Sequence, residues 1–290
     1  MKKVLITLML LFFVSITSAQ DDLLNQLDSL GVKEKSITPY AFKALQVCNM
    51  QSTKLPVKGE WYVLISHRFG DLTNGFDNFF GLDEAITKIG GIYGATNWLS
   101  IGVSRHRNNK TYELAAKYKM VNQMDNGFPF TIVGYNTMDI NSELKKAVNP
   151  ELKFTNRLAY TTQLLISRKF SEQISFEIAP IYVHKNLYDE TTEQKDLFLI
   201  GAGGRCKLSK RISLNLEYAA RLNNSSSIET PFYNPLSIGF DVETGGHVFQ
   251  LVFSNSQPMN DVALYSNTAG KWDFNRGGGV YFGFNMYRVF

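Results

Sequence analysis

The sequence lacks an apolar run long enough to cross a bilayer as a helix, because the run from Val4 to Ile16 is too short. It is poor in cysteine: Cys48 and Cys206 lie far apart in different contexts, so we expect two free thiols rather than a disulfide. It also lacks a charge excess, since without Lys2 and Lys3 its 30 basic and 26 acidic residues leave a formal charge of +2. Such a balance gives no electrostatic footprint for nucleic acid.

Recognisable catalytic and metal-binding patterns are missing as well. The sequence has no Gly-x-Ser-x-Gly elbow, and its four histidines include no pair at metal-ligand spacing. Ser66 and His67 are adjacent on a predicted strand, so they point to opposite faces and cannot form a nucleophile and base pair. The glycine-rich run 201–204 lies mid-strand with no helix after it, which does not suit a phosphate loop. The sequence therefore predicts no catalytic residue, no metal and no cofactor.

The N-terminus has the form of a secretory signal peptide. A basic Lys2-Lys3 pair precedes the apolar run, and small residues follow it up to Ala19, where we expect cleavage. The next residue, Gln20, is not a cysteine available for lipidation. Residues 21–30 place leucines at helical spacing, which predicts a short amphipathic helix. We therefore divide the chain into a signal peptide (1–19), a periplasmic lead-in of low order (20–58) and a barrel (59–290).

Residues 280–290 predict the closing strand of a transmembrane β-barrel. Their side chains alternate between an apolar face and a face of mixed polarity. The apolar face includes Phe282, Phe284, Met286 and Phe290. A soluble sheet that ended in this way would expose an apolar strand edge, whereas a closed barrel has no edge. We expect these four residues to form the assembly signal through which the barrel assembly machinery binds the chain.

A repeated turn pattern organises the predicted strands. Segments that begin at Thr96, Ser171 and Ser209 share Ser or Thr, two variable residues, Leu or Ile, Ser and an apolar residue. Each segment predicts a three-residue hairpin turn. The spacing of the three segments leaves room for one further turn, which the residues 124–129 can supply.

A fifth turn, at Thr244-Gly245, would place Val242 opposite His247. Between the short turns lie longer polar segments, such as 254–276. Short turns that alternate with long loops are typical of an outer-membrane barrel. The fold class is therefore all-β, an antiparallel transmembrane β-barrel of about twelve strands, an even number as this class requires. We expect outer-membrane lipid around it and both chain ends in the periplasm.

Six stretches of the chain resemble an uncharacterised β-barrel family of Gram-negative bacteria. They are GEWYVLISHRFG (59–70), FGLD (80–83), SRKFS (167–171), GAGGR (201–205), NPLSIG (234–239) and DVETGGHVFQL (241–251). The resemblance runs from about the first barrel strand to Phe290. It implies an outer-membrane barrel of unknown function and adds no catalytic residue.

Strand parity places many charged side chains on the inward face of the barrel. Both signs are interspersed there, beside several glycines. A packed interior of paired charges and a narrow, mildly cation-lined pore for small polar or anionic solutes agree about equally with this pattern. The inward charges are Glu60, Arg68, Lys88, Glu113, Lys117, Lys119, Arg157, Glu177, Arg205, Lys207, Glu217, Arg221, Asp241 and Glu243.

One ion pair can be predicted on this face. A three-residue turn at 209–211 places Gly203 opposite Glu217, so that Arg205 and Glu217 become diagonal neighbours. We expect these two side chains to pair. Gly201 and Gly203 leave room beside them.

Three functions remain open for this sequence. The leading hypothesis is a narrow channel, or a binding or structural barrel, without catalytic chemistry. The second is a barrel enzyme that acts on lipids, with His106 beside Asp71, Asp77 or Asp83, and the third is a soluble exported protein of lipocalin type. His106 is the histidine predicted to point inward. The other three histidines, His67, His184 and His247, are predicted to lie on the lipid-facing side near strand ends. An amphipathic ring is suited to the membrane interface.

Overall fold

The computed structural model describes residues 36–223, 230–244 and 247–290. The predicted signal peptide and the predicted helix at 21–30 lie outside these residues. The strands are β1 (Trp61–Asp71), β2 (Ile86–Gly94), β3 (Leu99–His106), β4 (Thr111–Val121), β5 (Thr131–Asn141), β6 (Leu158–Lys169), β7 (Ile174–Lys185), β8 (Asp196–Lys207), β9 (Ile212–Arg221), β10 (Leu236–Thr244), β11 (His247–Ser254) and β12 (Tyr281–Val289). The helical segments of the described residues are the α-helix α1 (Asp261–Ser266) and the 3₁₀ turns Leu72–Asn78, Leu82–Glu84, Asn108–Lys110 and Phe154–Arg157. None of them is long and apolar enough to span a bilayer.

The twelve strands form one closed antiparallel barrel. Each strand pairs with its neighbours in sequence, and β12 pairs with β1. Closure continues past the strand end, since the Phe290 N–H donates to the Trp61 carbonyl (2.9 Å) and the Trp61 N–H donates back (3.2 Å). The predicted all-β, twelve-stranded barrel is confirmed, and the sheet has no free edge.

β1 shows why the sequence alternates. Trp61 and Val63 point outward and are 55% and 37% exposed, whereas Ser66 and Arg68 point inward and are at most 1% exposed. Successive residues of a strand face opposite sides. The apolar residues of β1 therefore cover the outside of the barrel and polar residues enter its lumen, as in barrels that face lipid.

The two ends of the barrel differ in the length of their connections. At one end, which we call the short-turn end, the described connections are 95–98, 122–130, 170–173 and 208–211. The Phe170 N–H donates to the Ile174 carbonyl (3.0 Å) and the Leu208 N–H to the Ile212 carbonyl (2.9 Å), as expected for three-residue turns. The opposite end, the long-loop end, carries the connection 255–280 between β11 and β12.

The predicted register of the β10–β11 hairpin is wrong by two residues. Val242 lies opposite Phe249, and His247 lies opposite Thr244. A shift of two residues leaves every side chain on its face, whereas a shift of one residue would turn it over. Alternation therefore determines the face of a strand but does not choose between registers that differ by two residues.

The prediction of a lead-in of low order is wrong for residues 36–58. Most of this segment lies inside the barrel, where Phe42, Val47, Cys48 and Met50 are at most 2% exposed. Its polar residues, which favoured a loop, are bonded instead to polar groups of the barrel wall. Those partners lie on strands that are distant in sequence, so the local pattern of the segment does not reveal them.

Replacing Phe284 with Asp is expected to block membrane assembly. The Phe284 ring lies on the outward face of β12 and stacks on His67, with 5.6 Å between the ring centroids. A basic side chain on the lipid face costs roughly 2 to 4 kcal/mol at the bilayer midplane, and an acidic one somewhat less. Heat-modifiable migration on a gel measures the folded fraction. Phe284→Leu should assemble normally, and equal folded fractions for the two variants would contradict the outward orientation.

Candidate functional site: a lumen filled from both ends

Residues 41–56, which we call the lumen hairpin, fold back on themselves inside the barrel. The Val47 N–H donates to the Met50 carbonyl (2.8 Å), which closes a turn with Cys48 and Asn49 at its tip. The hairpin enters from the short-turn end, and its tip reaches the middle of the lumen.

Both connections of the lumen hairpin lie at the short-turn end. Before the hairpin, Ile37 forms a β-bridge with Met124 of the β4–β5 connection. After it, the Gly59 N–H donates to the carbonyl of Gly94 at the end of β2 (2.8 Å). The hairpin can therefore leave the lumen without threading any chain through the barrel.

One carboxylate of the wall holds the tip. The backbone N–H groups of Cys48, Asn49 and Met50 donate to the Glu217 carboxylate at 2.8 to 2.9 Å. Glu217 lies on β9 and is 2% exposed. Charge-assisted bonds from three amides compensate for the burial of this charge.

Arg68 of β1 holds the same tip from another side. Its Nη2 donates to Asn49 Oδ1 (2.7 Å) and to Asn285 Oδ1 (3.1 Å). The Asn285 Nδ2 donates in turn to the Cys48 carbonyl (2.8 Å). Polar groups on β1, β9 and β12 thus surround the tip.

Inward-facing glycines make room for the side chains of the tip. The pairs are Gly201 with Met50, Gly203 with Val47 and Gly239 with Cys48, at 2.5, 3.2 and 2.8 Å between an ideal Cβ position and the nearest side-chain atom. The sequence predicts that Gly201 and Gly203 leave room on the inward face, and in the structure the lumen hairpin fills that room. Several glycines on the inward face of neighbouring strands leave space next to the barrel wall. Such glycines are the sequence signal for a segment inside the lumen.

Charged groups of the wall also hold the arms of the hairpin. The Lys117 ammonium donates to the Leu45 and Ser52 carbonyls, each at 3.0 Å. The Thr53 N–H donates to the Glu177 carboxylate at 3.0 Å. Lys117 and Glu177 are 5% and 0% exposed. The hairpin backbone therefore supplies the partners that buried charges require.

The connection between β11 and β12 fills the lumen from the long-loop end. Every residue of α1 is buried. The Tyr265 hydroxyl donates to Gln163 Oε1 on β6 (3.3 Å), and the Asn260 side chain donates to Asp139 Oδ2 on β5 (2.6 Å). Burial raises the pKa of the Asp261 carboxyl above its usual range.

The lumen wall has a polar side and an apolar side. On the apolar side, α1 and two hairpin residues, Met50 and Leu55, pack against apolar wall residues. Those wall residues, all on β5 to β9, are Val133, Tyr135, Leu165, Ala179, Ile181, Val183, Leu197, Leu199 and Ala219. On the polar side, formed by β9 to β12 and β1, the hairpin tip contacts charged and amide groups. Apolar contacts are fewer there: Phe42 and Val47 pack on Val252, and Leu45 packs with Leu64 and Tyr287. The sequence analysis missed the apolar side because it followed only the inward charges and glycines.

Open space remains at both mouths of the lumen. A cavity of about 380 Å³ lies beside α1 at the long-loop end. A second, of about 350 Å³, lies beside the hairpin in the short-turn mouth. Between the mouths, a cavity of only about 40 Å³ remains beside the hairpin, lined mainly by residues of β2, β3 and β4.

The charges predicted to face the lumen occur at three levels. Those bonded to residues 45–54 of the lumen hairpin are Arg68, Lys117, Glu177 and Glu217. Those nearer the long-loop end are Lys88, Glu113, Arg157 and Arg221. Those nearer the short-turn end are Glu60, Lys119, Arg205, Lys207, Asp241 and Glu243.

The predicted ion pair between Arg205 and Glu217 is wrong. The register agrees with the prediction, since Gly203 lies opposite Glu217, but the Glu217 carboxylate binds hairpin amides instead. Arg205 Nη2 lies 3.9 Å from Glu243 Oε1. The amides that bind Glu217 are 167 to 169 residues away in sequence, so the β8–β9 hairpin by itself could not reveal them.

The lipid-enzyme hypothesis requires His106 beside an acid of the long-loop end. Asp71 is used within its own loop, where it accepts the Thr73 N–H (2.9 Å). Asp77 pairs with Arg276. Among the described contacts, neither carboxylate meets His106.

His106 itself is buried in the lumen. Its Nε2 lies 3.0 Å from Ser104 Oγ and 3.6 Å from Glu113 Oε2. A catalytic serine, histidine and acid would place the acid at Nδ1, so this is not a triad arrangement. Within the described part of the chain, no group of three or more His, Cys, Asp or Glu is placed to hold a metal ion.

Both cysteines are free thiols. Cys206 is exposed on β8, whereas Cys48 is fully buried in the hairpin tip. Burial raises the pKa of the Cys48 thiol, and the Glu217 carboxylate acts in the same direction. Since the thiolate is the reactive form, modification of Cys48 reports whether the tip has left the lumen.

A closed barrel with an apolar outside and a charged lumen is the architecture of a membrane-bound β-barrel. The sequence matches the model of a family of membrane bound β-barrel domains of unknown function over residues 42–290. The protein belongs to this family, as the resemblance in the sequence implied. The matched region begins inside the lumen hairpin, so the hairpin is part of the family domain rather than a lead-in to it.

Comparison with the curated proteins gave no match. Among solved structures, the chain is similar to the KdgM porin (9% identity, 79% of this chain and 99% of that chain, TM-score 0.47). It is also similar to an outer membrane channel from Pseudomonas putida F1 (12% identity, 82% of this chain and 97% of that chain, TM-score 0.44). At these values the likenesses carry no inference about function.

Proposed function

We propose that this protein is an outer-membrane channel for small polar solutes and that the lumen hairpin is its gate. The observation that supports this proposal is the division of the lumen wall. The tip of the hairpin contacts the polar side, where water can replace its hydrogen bonds once it leaves. A wall built around a permanent filling would gain more from apolar residues in place of Arg68 and Glu217, because buried ionic contacts stabilise less than good apolar packing.

The arrangement of α1 supports the hairpin, rather than the long connection, as the moving part. α1 packs on the apolar side, and its departure would expose apolar wall residues to water. Only Met50 and Leu55 of the hairpin belong to the same apolar cluster, whereas the hairpin has both connections at one end and is held at its tip by polar bonds. Its withdrawal opens a path along the polar side while α1 stays in place.

The predicted export signal and the closing strand support an outer-membrane location. With both chain ends in the periplasm, the short-turn end faces the periplasm and the gate opens from that side. The surrounding partners are then outer-membrane lipid and, during assembly, the machinery that recognises the closing strand. A binding or structural barrel without transport is the second candidate, because the hairpin forms many buried hydrogen bonds.

A reversible lock on the hairpin tests the gate. An ideal Cβ at Gly239 lies 3.7 Å from Cys48 Cβ, a separation that a disulfide requires. In a Cys206→Ser background, Gly239→Cys should therefore join the hairpin tip to β10 under oxidation. We expect single-channel openings from the reduced protein in planar bilayers and none from the oxidised protein.

The matched control for the lock is Gly204→Cys in the same background. Gly204 faces outward, and a Cβ there meets only the Ser175 carbonyl, at 4.0 Å. Its conductance should not depend on the redox state. Openings that persist in the oxidised Gly239→Cys protein would show that the hairpin is not the gate, and a barrel silent in both states would favour the structural or binding role.

A further inference from the structure

The cavity of about 350 Å³ in the short-turn mouth lies between the lumen hairpin and the barrel wall. Its lining is strongly cationic. The cationic lining residues are Lys43 and Lys54 from the hairpin and Lys169, Arg205 and Lys207 from the wall. Glu172 is the carboxylate that lines the same cavity. A concave site with an excess of one sign of charge concentrates the opposite charge.

Arg205 is the buried member of this lining. It is 4% exposed, and its Nε and Nη2 have no hydrogen-bond partner among the described residues. Glu243 Oε1, at 3.9 Å from Nη2, is beyond hydrogen-bond distance, and the other oxygen of Glu243 binds Lys43 (3.1 Å). Buried donors without an acceptor are rare in folded proteins. The planar fork of a guanidinium matches the paired oxygens of a carboxylate or a phosphate.

We propose that the short-turn mouth binds a small anion that carries carboxylate or phosphate groups, and that the bound anion holds the lumen hairpin in place. The wall supplies Arg205 and two lysines, and the hairpin supplies the other two lysines. Because two of the five cationic residues belong to the hairpin, the complete site exists only when the hairpin is in the lumen. Binding and closure then stabilise each other. The regulatory part of this inference rests on the proposed gate, whereas the binding site does not.

Isothermal titration calorimetry with inorganic pyrophosphate, on the protein in an uncharged detergent, tests the site. Arg205→Ala and Lys169→Ala should each weaken binding at least about tenfold, because each removes a charged hydrogen bond to the anion. Arg205→Lys keeps the positive charge but lacks the planar fork of the guanidinium. Its affinity for pyrophosphate should lie between those of Arg205→Ala and the unmodified protein. Heat-modifiable migration confirms that each variant is folded.

The matched control is Arg168→Ala. Arg168 precedes Lys169 on β6, but its guanidinium faces outward over the ring of Phe170, 4.9 Å from the centroid. The substitution removes the same charge from the same end of the barrel and should leave the affinity unchanged. Absence of binding, or an equal loss in Arg168→Ala and Arg205→Ala, would overturn the site.

Labelling of Cys48 tests the effect on the hairpin. In a Cys206→Ser background, pyrophosphate at 100 times its Kd should slow modification of Cys48 about 100-fold if the anion binds only the closed form. Unchanged or faster labelling with binding intact would overturn the regulatory part, while the conductance of the Gly239→Cys variant judges the gate separately.

Comparison of nanodiscs of phosphatidylcholine and phosphatidylglycerol identifies the source of the anion. Slow labelling in the second alone, without pyrophosphate, assigns the site to a lipid headgroup, and equal labelling assigns it to a soluble anion.

Discussion

Replacing residues 42–55 with a short glycine-serine linker is expected to convert a closed barrel into a steadily conducting one. The lumen hairpin is bonded to eight strands around the barrel, β1, β4, β6, β7, β9, β10, β11 and β12. Its removal leaves the charged groups of the polar side without protein partners, and water takes their place. The wall itself remains intact because every strand keeps both neighbours. Planar-bilayer recordings should show a stable conductance step that the full-length protein lacks.

The control for this deletion removes the other segment of the lumen. A variant with residues 258–267 replaced by a similar linker keeps the hairpin and should stay closed. The cavity of about 380 Å³ beside α1 shows that this segment leaves space at its own level. Conduction by the α1-deleted protein, together with silence of the hairpin-deleted protein, would reverse the assignment of the gate.

Glu217→Ala is expected to release the hairpin tip without removing any part of it. The substitution leaves the amides of Cys48, Asn49 and Met50 without their acceptor. A buried donor that loses its acceptor costs roughly 1 to 3 kcal/mol. Three such donors shift the release equilibrium by at least about 3 kcal/mol, which is a factor of about 100 or more. In a Cys206→Ser background, the rate at which a small thiol reagent modifies Cys48 should rise by that factor.

Two variants show whether the effect comes from the three amides. Glu177→Ala removes another buried carboxylate of the lumen, but one that accepts a single hairpin amide, that of Thr53. Its effect on the labelling of Cys48 should be markedly smaller. Glu217→Gln keeps one acceptor oxygen, so its rate of Cys48 labelling should lie between those of Glu217→Ala and the unmodified protein. If Glu217→Ala labels at the unmodified rate while remaining folded, Glu217 does not hold the tip.

The contrast between Phe284 and Glu217 shows how far the sequence leads. Phe284 was assigned to the outward face from alternation in its own strand. The lipid around the barrel is enough to explain why this residue is apolar. Glu217 was assigned to the inward face by the same rule, yet its partner could not be derived. Its carboxylate is bonded to a segment about 170 residues earlier, and that segment reads as a polar loop when its sequence is taken alone.

The sequence by itself determined the all-β class, the number of strands, the alternation of short turns with long loops and the inward face of buried charges such as Arg68 and Glu217. These features depend on neighbours in sequence, because a strand repeats every two residues and a tight turn joins adjacent strands. Only the tertiary structure decided the register of β10 against β11, the partner of Glu217 and the filling of the lumen. The Gly201, Gly203 and Gly239 positions marked space on the inward face, but what occupies that space depends on contacts between segments far apart in the chain.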